Sequence, residues 1–215
     1  MAIDRPQLEA SLAAGLSQMG LELDPGGITR QIDFLLLLEK WNSAYNLSGI
    51  RDAAKMVSLH LLDSLALLPY IDGETILDIG TGAGLPGIPL ALCFPDKQFL
   101  LLDSNGKKTR FLTQAKTELQ LANVTVFHQR IESFQTPAQI DIVLCRAFAT
   151  LPRIVELTRH VMNSRSRLLA MKGQYPEDEV AALPASVTLG HSHTLSVPGV
   201  DGARHLLEIV PAPGI

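Results

Sequence analysis

After a proline at position 6, apolar side chains recur at Leu8, Leu12, Leu16 and Met19, the spacing of one helix face. A second helix is predicted from Thr29 to Tyr45, with Ile32, Leu35 and Leu36 among its apolar positions. A third is predicted from an N-cap at Asp52, through Met56, Leu59, His60, Asp63 and Leu67, toward Pro69. These three helices make a small N-terminal helical lobe over residues 1–72. At Asp72-Gly73 the pattern changes. Thr75-Ile76-Leu77-Asp78-Ile79 is a short apolar run ending in glycines, as a parallel strand buried on both faces would. Strands near 98–102, 124–127, 140–145 and 167–172 then alternate with helices near 87–94, 107–121 and 151–162. A short helix near 177–182 and two strands, 187–195 and 204–210, follow. The fold class is therefore α/β: over residues 73–215, a Rossmann-like, mostly parallel sheet with an antiparallel edge hairpin, preceded by the helical lobe.

At 215 residues and 47% hydrophobic content, the chain suits one enzyme-sized domain with an extension. No apolar run reaches the roughly 20 residues of a membrane span. The greasiest stretch, Leu59 to Ile71, is interrupted by Asp63 and Pro69, so no membrane partner is expected. The opening Met1 to Pro6 lacks an export pattern, which makes the cytoplasm the expected compartment. Cys93 and Cys145 both lie in apolar stretches and read as core; no disulfide framework and no metal site is expected. The net charge of −4 hides an asymmetry. Residues 1–72 carry five basic and nine acidic side chains, whereas residues 97–172 carry twelve basic and five acidic. A polyanion fits the second region, as do several separate solvated helix faces.

Candidate chemistry centres on Asp78-Ile79-Gly80-Thr81-Gly82-Ala83-Gly84-Leu85-Pro86-Gly87, which follows a strand and opens a helix. The stretch from Gly82 to Gly87 also satisfies the dinucleotide fingerprint, which would imply an NAD(P)-dependent oxidoreductase. The competing inference is electrostatic. A carboxylate at Asp78 repels a pyrophosphate but suits the ammonium group of S-adenosyl-L-methionine, a phosphate-free, cationic methyl donor. Asp103, 23 residues after Gly80, stands where ribose hydroxyls would lie in either case.

Together with its neighbours the turn resembles one family, the small-subunit ribosomal RNA guanine-N7 methyltransferases, once called glucose-inhibited division protein B. The resemblance is carried by Lys40 to Ser48 (KWNSAYNLS), His60 to Ser64 (HLLDS) and Gly80 to Leu90 (GTGAGLPGIPL). Asp103-Ser104, Arg146 to Ala149, Lys172-Gly173 and Arg204 to Leu206 continue it. It implies a class I S-adenosylmethionine methyltransferase fold and a cofactor pocket built from Asp78, Gly80, Gly82, Gly84, Leu85 and Asp103. It also implies Ile131 and Glu132 at the adenine and Arg146 as a cofactor-site arginine. The implied substrate is a guanine in the decoding-region loop of 16S rRNA, met as free RNA or in the small ribosomal subunit, with no obligate protein partner evident.

Guanine N7 has an in-plane lone pair and no proton, so attack on the methyl group needs no general base. The end of the fourth strand, Val143 to Phe148, agrees, since it lacks the Asn/Asp-Pro-Pro-aromatic motif of amino-group methyltransferases. Arg146 is the first candidate for a functional role, through the cofactor or guanine O6; a salt bridge to Glu132 or Asp103 is the structural alternative. Phe148 is a candidate base-stacking residue or core. Lys107, Lys108, Arg110 and Lys172 are candidate RNA contacts, a solvated helix face explaining the first three equally well. Trp41 and Tyr45 share a helix side, His60 and Asp63 suggest a pair, and His191 and His193 are expected to face solvent. A non-catalytic RNA-binding adapter on the same fold is the remaining alternative.

Overall fold

The computed structural model describes residues 4–136 and 138–212; Met1 to Ile3, read above for export, lie outside them. The first helix, α1 (Arg5–Gln18), is capped by Asp4 and buries Leu8, Leu12 and Leu16 as the spacing predicts. Helix α2 (Pro25–Tyr45) starts four residues before the predicted Thr29. Asp24 caps it, accepting from the Gly27 amide at 2.6 Å, and Pro25 sits in the first turn, where its missing N–H costs nothing.

The predicted third helix is not continuous. It runs as α3 (Ala53–Met56), a π-helical segment from Val57 to Leu62, and α4 (Asp63–Leu65). At the end of the π segment the Ser64 hydroxyl donates to the His60 carbonyl at 2.6 Å.

The remaining elements are β1 (Thr75–Ile79), α5 (Gly87–Cys93), β2 (Gln98–Asp103), α6 (Gly106–Glu118), β3 (Val124–His128), β4 (Ile142–Arg146), α7 (Leu151–Thr158), β5 (Arg167–Lys172), α8 (Glu177–Ala181), β6 (Val187–Thr194) and β7 (His205–Pro211). The sheet order is β3-β2-β1-β4-β5-β7-β6. The first five strands are parallel, and β7 and β6 add the antiparallel edge expected from the sequence. His193, expected in solvent, instead packs half-buried on Tyr70 with ring centroids 4.5 Å apart; His191 is exposed.

Strand side chains alternate between two apolar layers. Ile76, Ile142 and Leu144 face one; Leu77, Ile79, Val143 and Cys145 face the other. Both faces are covered, which is why the strands read as continuous apolar runs. The first layer is one continuous cluster with Leu12, Leu16, Ile32, Leu35 and Leu38 from α1 and α2. Helix α2 lies on α5 and α6: Gln31 donates to the Pro89 carbonyl at 2.8 Å, and Phe34 meets Phe111 with ring centroids 6.4 Å apart. The N-terminal helices therefore share a core with the sheet. Among the described residues no helix is long and apolar enough to cross a membrane.

One core implies one cooperative transition. The single tryptophan, Trp41, reports on α2, and far-ultraviolet circular dichroism reports on the whole fold. Their denaturant curves are expected to coincide. Leu38→Ala should shift both together by about 2–5 kcal/mol; a fluorescence transition that moves alone contradicts the shared core.

Candidate functional site

The strand order reverses between β1 and β4, and ligand crevices of open α/β sheets lie at the carboxyl ends of strands at such a point. A cavity of about 310 Å³ opens there. Its walls include Gly80 after β1, Leu102 and Asp103 ending β2, Arg130 to Glu132 after β3, and Ala147 and Phe148 after β4. Gly80, Asp103, Ile131 and Glu132, all named from the sequence, thus line one cavity.

The glycine turn is occupied by its own hydrogen bonds. The Gly82 amide donates to Asp103 Oδ2 at 2.9 Å, and the Gly84 and Leu85 amides donate to the Thr81 carbonyl at 3.0 Å each. The Gly87 amide donates to Asp78 Oδ2 at 2.9 Å, and the Ile88 amide to the Gly84 carbonyl at 2.7 Å. A pyrophosphate at a helix N-terminus needs such amides free. The geometry therefore disfavours a dinucleotide, by a route other than the one inferred from sequence.

Asp78 is not on the crevice wall. It is 1% exposed, and its Oδ2 also accepts from the Thr81 hydroxyl at 2.6 Å. Burial pushes its carboxyl up to about 7, opposed by the Thr81 and Gly87 hydrogen bonds. Oδ2 thus organises the turn from beneath, while the buried Oδ1 has no hydrogen-bond partner among the described residues. Gly87 is required where a Cβ would lie 2.4 Å from Leu101 and 2.7 Å from Asp78 Oδ2. Gly84 and Leu85 are buried behind the wall, Gly84 against Ile88 and Leu112. Gly80, at φ 61°, lies under the Phe148 ring, 2.4 Å from where a Cβ would be.

Asp103 has the character expected of a ribose acceptor. Its oxygens accept from the Gly82 and Asn105 amides, each retaining lone-pair capacity, and it lines the crevice. Leu102, Ile131 and Phe148 supply apolar wall for a flat base. These residues fit a phosphate-free adenosyl group.

Arg146 lines a second cavity, of about 450 Å³, which shares Ala147 with the first. Its walls include Ile50, His60, Asp63, Lys172 and Arg204. Ala147 adopts φ 51°, sparsely populated for a residue with a side chain. On one side of it Arg146 enters the second cavity; on the other, Phe148 covers Gly80. Neither Glu132 nor Asp103 is the partner of Arg146. Its Nη1 is 3.0 Å from Asp63 Oδ2 and 3.4 Å from the Leu59 carbonyl, while Arg204 Nε binds Asp63 Oδ1 at 3.1 Å. Asp63 is 4% exposed and so carries two cations. It does not pair with His60, whose Nε2 lies 2.8 Å from Ser48 Oγ and whose ring burial holds below its ordinary pKa. Lys172 Nζ binds Glu179 at 2.7 Å and the Ala149 carbonyl at 2.9 Å.

The remaining candidates divide by position. Lys108 lines the first cavity, 3.9 Å from Asp103; Lys107 and Arg110 are exposed on α6 outside both cavities. Phe148 belongs to the first cavity and not the second. The sequence reading assigned no site role to Arg130 or Arg204, and Asp63 was paired with the wrong residue. Cys145 is 2% exposed and burial pushes its thiol up to about 12, which makes it wall and not nucleophile.

The raised Asp78 carboxyl has a signed consequence. Between its unfolded value of 3.8 and about 7, the folded chain holds a proton that the unfolded chain has lost. Its contribution to stability therefore falls as pH rises through that window and is flat above it. Denaturant unfolding at pH 5 and pH 8 should show a smaller difference for Asp78→Asn than for the parent; equal differences contradict the assignment.

Comparison with known proteins agrees with this geometry. Residues 28–207 match the family model for rRNA small subunit methyltransferase G, GidB. The chain is 48% identical over 202 residues to the ribosomal RNA small subunit methyltransferase G of Pseudomonas syringae pv. syringae (strain B728a), covering 94% of each. It is 50% identical over 197 residues to that of Marinomonas sp. (strain MWYL1), covering 92% of this chain and 95% of the relative. Among solved structures, a SAM-dependent methyltransferase from Aquifex aeolicus superposes with a TM-score of 0.57 at 16% identity, over 80% of this chain and 98% of that one. TrmN from Thermus thermophilus gives 0.56 at 18% identity, over 69% and 48%. These two likenesses establish the class I methyltransferase fold. With the near-complete match in sequence, the chain belongs to the rRNA small subunit methyltransferase G family.

Proposed function

We propose that this protein transfers a methyl group from S-adenosyl-L-methionine to N7 of a guanine in the decoding-region loop of 16S rRNA, in the cytoplasm. The observation that carries the reading is the pair of cavities meeting at Ala147, one walled by Asp103, Ile131 and Phe148 and one lined by Arg146, Lys172 and Arg204. The family relatives bearing a ribosomal RNA methyltransferase name support the substrate class.

S-adenosylmethionine supplies an electrophilic methyl group on a sulfonium. The chain's own part is to hold and align. Asp103 accepts from ribose hydroxyls, Ile131 and Glu132 flank the adenine, and the turn from Gly80 to Leu85, braced by Asp78, forms the floor. Phe148 covers Gly80 and excludes water at the junction. In the second cavity Arg146, anchored by Asp63, donates to guanine O6 and leaves N7 free to attack. No group there needs to remove a proton, and His60, buried and favoured neutral, is tied to Ser48. Alignment thus carries the catalysis.

Isotope-labelled S-adenosylmethionine should pass its methyl group to unmodified 16S rRNA at a guanine N7. Calorimetry should show binding of the demethylated product and no response to NAD(P). Cofactor binding without incorporation into RNA would instead favour an adapter, and NAD(P) binding alone an oxidoreductase. Arg146→Ala should leave product affinity within about twofold, because Arg146 lies outside the first cavity, while transfer falls about 100-fold. Unchanged turnover contradicts the placement of Arg146 at the acceptor.

A further inference from the structure

We propose that Tyr45 and Tyr175, each close in the chain to residues lining the second cavity, are stacking platforms for unpaired RNA bases, a proposal that rests on reading that cavity as the acceptor site. Only three large apolar side chains are exposed among the described residues: Tyr45 at 45%, Tyr175 at 38% and Phe148 at 37%. The two tyrosines lie outside both linings but close along the chain to residues of the second. Phe148 lines the first. Tyr45 ends α2, and the next residue, Asn46, accepts from Arg51 Nη2 at 2.6 Å; Arg51 follows Ile50 of the cavity wall. Tyr175 lies two residues beyond the lining Gly173. Its ring meets His205 edge-on, with centroids 5.7 Å apart, and His205 pairs across the sheet with the lining Lys172.

Both rings are braced from within the protein. Tyr45 stacks on Trp41 at 5.1 Å and 27°, and Trp41 in turn packs on Phe111 at 5.8 Å. A ring held this way presents its free surface at little entropic cost. The wall of the second cavity is basic: among the described residues Arg146, Arg204 and Lys172 have Asp63 and Glu179 as ion-pair partners, and Arg51 adds a further charge beside Asn46, while the acidic first turn of α8, Glu177 to Glu179, follows Tyr175. Aromatic faces interleaved with basic side chains suit single-stranded nucleic acid, whose backbone follows the charge while its bases stack. Reaching a guanine in a loop requires its neighbours to unstack from it. The two tyrosines supply replacement stacking partners for those neighbours.

The test uses unmodified 16S rRNA, both free and in small subunits, with Tyr45→Ala, Tyr175→Ala, the double variant and the two Phe variants. Each alanine should raise KM for free RNA roughly tenfold with kcat little changed, and the double variant should approach the product of the two. The phenylalanine variants should restore KM. The slope of log KM against log salt should stay at the parent value in the alanine variants but become shallower in Arg51→Ala. Thermal melting and product binding serve as folding controls. Unchanged KM, phenylalanine variants as impaired as alanine, or losses confined to assembled subunits, which would assign the rings to a protein contact, each overturn the proposal. A parent protein that transfers no methyl group would refute the acceptor reading itself.

Discussion

The site depends on how the glycine turn spends its amide hydrogens. Five backbone donors between Gly82 and Ile88 are engaged within the protein, two of them by the carboxyl groups of Asp78 and Asp103. This makes the turn rigid and leaves those amides unable to cradle phosphate. A buried donor or acceptor left without its partner costs about 1–3 kcal/mol. A ligand that required the amides would have to replace that much. What the turn offers instead is shape and the outward capacity of Asp103, which suit a nucleoside lacking phosphate.

A second network fixes the acceptor side. Asp63, on the element that follows the π-helical segment, is buried between Arg146 at the end of β4 and Arg204 just before β7. Two charges held by one buried carboxylate are costly to desolvate, so the gain lies in geometry more than in stability. The N-terminal helices thereby set the direction of an arginine that the sheet alone presents. The shared apolar core makes this coupling stiff.

The strands and the glycine turn were legible because their signals are local. Ile142 to Cys145 reads as a buried strand because both sheet faces are covered, and β1 and β5 fall within their predicted bounds. The turn's position was evident, but the direction of Asp78 was not: a residue's identity does not reveal whether its side chain points at a ligand or beneath a loop. Arg204 and Asp63 are 141 residues apart, and nothing local links them. The π segment escaped because apolar spacing around Leu59 fits an α-helix as well, and the start of α2 was missed because Gly26 and Gly27 resemble a break. Arg146 was singled out from the sequence, yet its partner Asp63 follows that undetected turn.

The most direct measurement is a crystal structure of the protein with S-adenosylhomocysteine. The adenosine should lie between Asp103 and Ile131, with the Gly82 and Gly87 amides still bonded to Asp103 and Asp78. A turn reorganised so that these amides point at the ligand, or an adenosine bound elsewhere, would contradict the claim that a self-satisfied turn selects the ligand.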